Sequence, residues 1–357
     1  MDMSLRLELT PEELRAKFCE LKNPVDVAEL LDIEKARLNY YLYIYPPNRR
    51  YKKFFIPKRS GGLREINAPA TALQIVQAKL NQVLQVVYRP RPSVHSFIAK
   101  NSIATNARVH SGRNYVFNVD LADFFPSITF PRVRGMFIAK PYQLPPSVAT
   151  VLAQICCHNN ILPQGAPTSP IISNMLCAKM DNELGRLARK YRCRYTRYAD
   201  DLTFSTDSEY FPDALAKYDS KGILRAGEEL KKVISDNGFT IAIKKLRLRR
   251  SNVRQQVTGL IVNKGVNVLL LNLRWWYNTL KKLRGLLLWL FGEPLKRICK
   301  AHFQDWILCW LGSLFSYGSQ ITRGDTQSWM VSRICCSCVY QNGIGHNGNL
   351  SLVERGI

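Results

Sequence analysis

The segment from Arg192 to Ser205 constrains this chain more than any other. Residues 192–197 read as a strand, Tyr198-Ala199-Asp200-Asp201 interrupts it, and Leu202 to Ser205 reads as a second strand, so two acids stand at the tip of a hairpin. Adjacent acids in a turn are ordinarily solvated. Here the strand that follows, Leu202-Thr203-Phe204, is apolar at alternate positions, which seats the pair on a packed sheet. A third carboxylate arrives in the same way: Tyr115-Val116-Phe117-Asn118-Val119 is a buried-strand pattern that delivers Asp120 at its end. A sheet of this kind needs helices to cover it. Residues from about Ala72 to Val87 put Leu73, Val76, Leu80, Leu84 and Val87 on one helical face, and a second helix is expected from about Ile171 to Lys190. The fold class expected is α+β.

Charge narrows the class of partner. The chain of 357 residues carries 51 Lys+Arg against 27 Asp+Glu, a formal charge of +24, which points to polyanions. Apolar residues at 46% and charged residues at 22% exclude a disordered basic tail. The excess is uneven: +8 over residues 1–120, +3 over 121–240 and +13 over 241–357. The nearly neutral middle third holds two of the three strand-end acids, and chemistry is expected there. Ten cysteines without regular spacing, and no signal peptide, read as a reduced cytosolic chain. The apolar run 286–291 is too short to span a bilayer, so no membrane partner is expected. Cys335, Cys336 and Cys338 near His346 lack a second ligand pair at finger-like spacing, and no zinc site is expected.

Residues 1–50 read as an N-terminal helical extension, opened by Thr10-Pro11-Glu12-Glu13 and closed by Pro46-Pro47. Lys53 to Ile56 and Leu63 to Ile66 flank Ser60-Gly61-Gly62 as a hairpin, with Lys58, Arg59 and Arg64 around its turn. The stretch Leu162-Pro163-Gln164-Gly165-Ala166-Pro167-Thr168-Ser169-Pro170 is too rich in breakers to be regular. A helix is expected around Leu224 to Asn237, then a turn at Gly238, another strand pair, and a basic helical C-terminal region. In that region Leu273, Trp276, Tyr277, Leu280, Leu283 and Leu287 form an apolar stripe, with Arg274, Asn278, Lys281 and Lys282 on another face.

Three aspartates converging from separate strands suit one chemistry well. Phosphoryl transfer to a nucleotide uses two divalent ions, one activating the attacking hydroxyl and one holding the leaving phosphates. Hard ions take oxygen ligands, and magnesium needs only a few carboxylates beside its waters. Asp120, Asp200 and Asp201 meet that need, with Mg²⁺ expected and Mn²⁺ as an alternative.

At these residues the chain resembles the reverse transcriptases. Tyr198-Ala199-Asp200-Asp201 resembles their Tyr/Phe-x-Asp-Asp box; Asn118-Val119-Asp120-Leu121-Ala122-Asp123-Phe124-Phe125 resembles their first palm motif; and Leu162-Pro163-Gln164-Gly165 with Ser169-Pro170 resembles the motif between. The resemblance spans about residues 53–263. It implies a right-hand polymerase with fingers and palm interleaved over 51–264 and a basic helical thumb and RNA-binding region over 265–357. It further implies that Asp120, Asp200 and Asp201 hold the metals and that Phe125 lies beneath the incoming sugar and rejects a 2′-hydroxyl, unless core packing is its role; Phe124 is the other candidate core member. Gln164 and Gly165 would support the nucleotide and template, and Lys58 and Arg64 would bind the triphosphate. Lys245, preferred over Lys244, would protonate the leaving pyrophosphate. Thr258, Gly259 and Leu260 would form the primer grip, its glycine allowing a close backbone approach. Arg274, Lys281 and Lys282 would follow an RNA backbone, and Lys244, Lys245, Arg247, Arg249, Arg250 and Arg254 add further charge.

Within that family, Asn106-Ala107-Arg108-Val109-His110 and Val257-Thr258-Gly259-Leu260 resemble two motifs of the bacterial retron branch. His110 is given no catalytic role. The resemblance implies an RNA-directed DNA polymerase that copies its cognate structured noncoding RNA with dNTPs. Copying starts from the 2′-hydroxyl of an internal guanosine and yields branched RNA-linked single-stranded DNA (msDNA). It also implies a role in antiphage defence with a separate effector protein, and removal of RNA by a host RNase H. Two other readings stay open: a group II intron or abortive-infection type reverse transcriptase, and a non-catalytic RNA-binding scaffold on a polymerase fold.

Overall fold

The computed structural model describes residues 6–57 and 61–267. Lys58, Arg274, Lys281, Lys282, the apolar stripe 273–287 and the C-terminal cysteines lie outside them.

Residues 11–50 are largely helical: α1 (Pro11–Cys19), α2 (Pro24–Leu30) and α3 (Lys35–Asn39) run into one π-helical turn at Tyr40–Ile44 and a short α4 (Pro47–Arg50). Thr10 and Glu13 form the reciprocal capping box that the sequence suggests, which satisfies two otherwise orphan amides at the start of α1. Next come β1 (Tyr51–Pro57) and β2 (Leu63–Pro69), paired antiparallel from Tyr51↔Pro69 to Pro57↔Leu63. This hairpin projects: Phe54, Phe55, Ile56 and Leu63 are all exposed.

α5 (Thr71–Val87) and α6 (Ile103–Val109) precede β3 (Tyr115–Ala122). α7 (Phe130–Ile138), α8 (Pro146–Cys156) and α9 (Ser169–Lys190) lead to the hairpin β4 (Arg194–Tyr198) and β5 (Asp201–Thr206). The chain continues through β6 (Ala216–Tyr218), β7 (Leu224–Ala226), α10 (Glu228–Asp236), β8 (Thr240–Ile241), β9 (Arg247–Arg250), β10 (Gln256–Val257) and β11 (Leu260–Ile261). The helix expected from Leu224 begins only at Glu228. Leu224–Ala226 instead pair antiparallel with Ala216–Tyr218 as β7 and β6, and Gly227, where a Cβ would lie 2.1 Å from the Ala214 carbonyl oxygen, is the N-cap of α10.

The central sheet runs β4-β5-β3-β8, with β9 also paired to β3. Alternation on β3 divides its two faces. Phe117, Val119 and Leu121 enter the main core with α5, α7, α8 and α9, whereas Val116 joins a small cluster with Ala107, Val257, Leu260 and Val262. Asn118 and Asp120 share the face of Val116. Among the described residues no helix is long and apolar enough to cross a membrane.

Candidate active site

Antiparallel register joins Asp120 to the acids that stand 80 and 81 residues after it in the sequence. Asp120 on β3 stands directly opposite Asp201 at the start of β5, and Asp200 occupies the two-residue turn between β4 and β5. The Leu121 amide donates to the Asp200 carbonyl at 3.1 Å, tying the turn to β3.

The other residue of that turn, Ala199, has φ +55°, a left-handed conformation that costs a non-glycine residue about 1–2 kcal/mol. A buried polar frame holds it. The Ala199 amide donates to Ser96 Oγ at 2.8 Å, while Arg197 Nη1 donates to the Ala199 carbonyl at 3.3 Å and to Asn174 Oδ1 at 3.1 Å. Asn174 Nδ2 in turn donates to the Ser96 carbonyl at 2.9 Å. Arg197 forks onto Asp181 of α9, with Nε to Oδ1 and Nη2 to Oδ2 both at 2.8 Å, and the Tyr195 hydroxyl donates to Asp181 Oδ1 at 2.9 Å. Arg197 is thus a fully buried strut. Sequence reasoning missed Arg197, Asp181, Asn174 and Ser96 as supports, because their partnership is nonlocal.

The acids stand in an unbalanced field. Burial raises the Asp200 carboxyl above the ordinary range, and the charge of Asp120 adds to it. Burial also pushes Asp201 up to about 7, helped by Asp200 and then Asp120. Against this, Lys245 Nζ meets Asp120 Oδ1 at 2.6 Å, and its own pKa rises through that bond. Lys244 is exposed and makes no such contact. Among the described residues no three His, Cys, Asp or Glu side chains stand close enough to hold an ion as placed. The donor set still fits a hard cation: three carboxylates on adjoining backbone, two of them partly desolvated and mutually repelling, facing one lysine.

The remaining site candidates flank this centre. Phe124 is buried and stacks on Phe239 with centroids 5.6 Å apart, making it the core member of the pair; Phe125 is half-buried and meets Phe124 edge-on. The Gln164 carbonyl accepts from the Asn67 amide at 2.7 Å, which docks the Pro-Gln-Gly turn on β2. Gly165 has φ +117°, and a Cβ there would lie 2.9 Å from Ile66 Cγ2. Arg64, exposed on β2, is near enough for its charge to favour ionised Asp200. Thr258 (φ +48°) and Gly259 (φ +86°) form the turn between β10 and β11, a type that needs positive φ at both positions. A Cβ at Gly259 would meet nothing within 4 Å, so backbone conformation accounts for the glycine within this chain. Thr258 Oγ1 donates to the Ile103 carbonyl of α6 at 3.3 Å, and Leu260 is buried beside Ala107.

The two segments that resemble retron motifs therefore pack together. His110, just beyond α6, is buried between Ser205 Oγ on β5 and Thr196 Oγ1 on β4, each 2.7 Å from one ring nitrogen. Burial lowers its pKa to about 3, so the ring is neutral at ordinary pH. Arg132 is a further support absent from the sequence reading. It donates to the Ser127, Asn237 and Gly238 carbonyls and covers the Phe239 ring, joining the turn after Asp120 to the approach of β8.

Residues 56–265 match the family model for reverse transcriptase (RNA-dependent DNA polymerase). The retron Mx65 reverse transcriptase of Myxococcus xanthus is 36% identical over 281 residues, covering 72% of this chain and 62% of that protein. The retron Ec86 reverse transcriptase of Escherichia coli is 34% identical over 224 residues, covering 62% of this chain and 66% of that protein. The retron Ec73 reverse transcriptase of Escherichia coli is 32% identical, covering 59% of this chain and 68% of that protein. The chain spans 62% of the length of the Mx65 relative. The family match, laid over an α+β fold with antiparallel strand-end carboxylates, means that this chain belongs to the reverse transcriptase family, among the retron reverse transcriptases.

Proposed function

We propose that this protein is an RNA-directed DNA polymerase of retron type. It extends a DNA strand on its own structured noncoding RNA and leaves the product joined to that RNA as msDNA. The observation that carries the reading is the pairing of Asp120 with Asp201 across adjacent strands with Asp200 on the intervening turn. Reverse transcriptases use divalent ions. Here Asp120, Asp200 and Asp201 would hold two, Mg²⁺ in preference to Mn²⁺, which when bound acidify the attacking hydroxyl and steady the leaving pyrophosphate.

The chain's own residues have the following parts in this reading. Lys245, already on Asp120, gives a proton to the leaving group. Lys58 and Arg64 bind the triphosphate, the Gln164-Gly165 turn keeps the finger hairpin beside it, and the half-buried Phe125 ring bars a ribose 2′-hydroxyl. The Thr258-Gly259-Leu260 turn supports the primer end. Fingers and palm occupy 51–264, and the basic segment from 265 onward, with Arg274, Lys281 and Lys282, binds the RNA. A bacterial cytoplasmic setting, a separate antiphage effector and host RNase H complete the proposal.

The test is incorporation of labelled dNTPs on a primed RNA template with Mg²⁺. Wild-type protein should extend the primer, and the doubly substituted Asp200→Asn, Asp201→Asn protein should bind RNA as before and extend nothing. Full extension by that variant would sink the mechanism. RNA recovered with the protein should be a single folded species joined to DNA through a 2′,5′ linkage; a mixed RNA population would point away from the retron reading.

A further inference from the structure

Strand β9 carries three arginines in four residues, and the sheet register assigns them to opposite faces. Asn118 pairs with Arg247 and Val116 with Arg249, while Phe117 pairs with Leu248 and Tyr115 with Arg250. Residues paired across a ladder share a face. Arg247 and Arg249 therefore lie on the face of β3 that bears Asp120. Leu248 packs with the main core on the other face, where Arg250 covers the Tyr115 ring with its guanidinium 5.7 Å from the centroid.

Arg247 and Arg249 are exposed, and neither guanidinium has a hydrogen bond or ion pair among the described residues. Every other residue from Lys245 onward is thus a cation on the carboxylate side: Lys245 on Asp120, then Arg247, whose charge reaches Asp201, then Arg249 beside Val116. The line leads from the carboxylates toward the β10–β11 turn, since Val116 packs with Val257 and Leu260, and the Arg249 carbonyl accepts from Gln255 Nε2. Alternate residues of a strand repeat every ~6.6 Å, close to the separation of successive phosphates on a nucleic-acid strand.

We propose that Arg247 and Arg249 form a two-step phosphate rail that holds the newly made strand as it leaves the carboxylate site. The occupant is the sugar-phosphate backbone of a primer–template duplex rather than a free triphosphate. Two cations one phosphate apart match a continuous backbone, and Lys245 already occupies the end nearest the reacting centre. This rests on the polymerase reading.

The experiment measures binding of a fluorescein-labelled DNA primer annealed to an RNA template, in EDTA, over a salt series. Each phosphate contact adds about 0.9 to the slope of log K against log salt, so Arg247→Gln and Arg249→Gln should each lower it by about 1, and the pair by about 2. Arg247→Lys and Arg249→Lys should retain the slope. Arg250→Gln, on the other face, should leave it unchanged, and the KM for dNTP should not move in any of these variants. An unchanged slope in the double Gln variant with native circular dichroism overturns the rail. So does an equal loss from Arg250→Gln, or a rise in dNTP KM without a change of slope. Wild-type protein that binds the duplex but adds no nucleotide would overturn the polymerase reading, while the slope change would still support the rail.

Discussion

Arg197 and Asp181 meet as a two-pronged ion pair with both side chains wholly shielded from solvent, two residues before the turn that presents Asp200. Removing one partner of a buried pair strands the other charge, at a cost of about 3–5 kcal/mol. Asp181→Ala should therefore lower the urea midpoint sharply. The double replacement Arg197→Met, Asp181→Leu should recover much of that stability. It should not recover nucleotide incorporation, because the Ala199 carbonyl still lacks its donor. Full activity in the double variant would show that the fork serves folding alone.

Ala199 bears a positive φ where glycine would be the easy residue. Ala199→Gly should be nearly neutral in thermal unfolding, since relief at the left-handed position is offset by about 0.5–1 kcal/mol of extra chain entropy. Ala199→Val, with a branched Cβ, should destabilise by about 2 kcal/mol or more and reduce primer extension at least tenfold. Equal behaviour of the two variants would contradict the backbone argument.

Gly165 is closely covered by β2: a Cβ there would lie 2.9 Å from Ile66 Cγ2 and 3.1 Å from the Asn67 carbonyl oxygen. Gly165→Ala should push β2 off the turn and weaken the Asn67–Gln164 bond. A raised KM for dNTP with unaltered duplex affinity is the expected kinetic result, checked by steady-state extension against anisotropy binding.

Lys245 and Lys244 are adjacent yet differ in position, since only Lys245 reaches Asp120. Lys245→Gln should lower kcat at least tenfold, and Lys244→Gln should leave it within about twofold. Single-turnover extension measures both, and equal losses would place the effect in general charge rather than at Asp120.

His110 ties folding to pH. Its pKa falls from an ordinary 6.5 to about 3 on burial, so between these values the unfolded chain binds the proton and the native protein does not. Its contribution is complete above pH 6.5. It is lost at about 1.4 kcal/mol per pH unit as the medium is acidified toward pH 3. Urea titrations at pH 7.5, 6.0 and 5.0 should show this fall, and His110→Gln should flatten it. A slope unchanged in the variant would assign the acid sensitivity to other groups.

Much of the site was legible because its signals are local. Alternation marked β3 and the β4–β5 hairpin, breakers marked the Pro-Gln-Gly turn, and a Thr-x-x-Glu box marked the start of α1. The helix expected at Leu224 starts only at Glu228, because residues 224–226 pair with β6, a partnership that the local pattern does not show. Arg197 is a buried strut because α9 places Asp181 against it, a nonlocal partnership that no local pattern announces. His110 looked structural, and its two hydroxyl partners on β4 and β5 give the reason.

The sequence by itself determined the kinds of residue available and their parity: three aspartates at strand ends, cations at alternate positions of β9, and glycines where positive φ is needed. Parity follows from the two-residue period of a strand and requires no knowledge of neighbours. Only the tertiary structure decided which strands lie side by side, and so which aspartate faces which, which lysine reaches Asp120 and which arginines share its face. Register between distant strands depends on how the whole apolar set packs, because a one-residue slip would turn every one of these side chains to the opposite face.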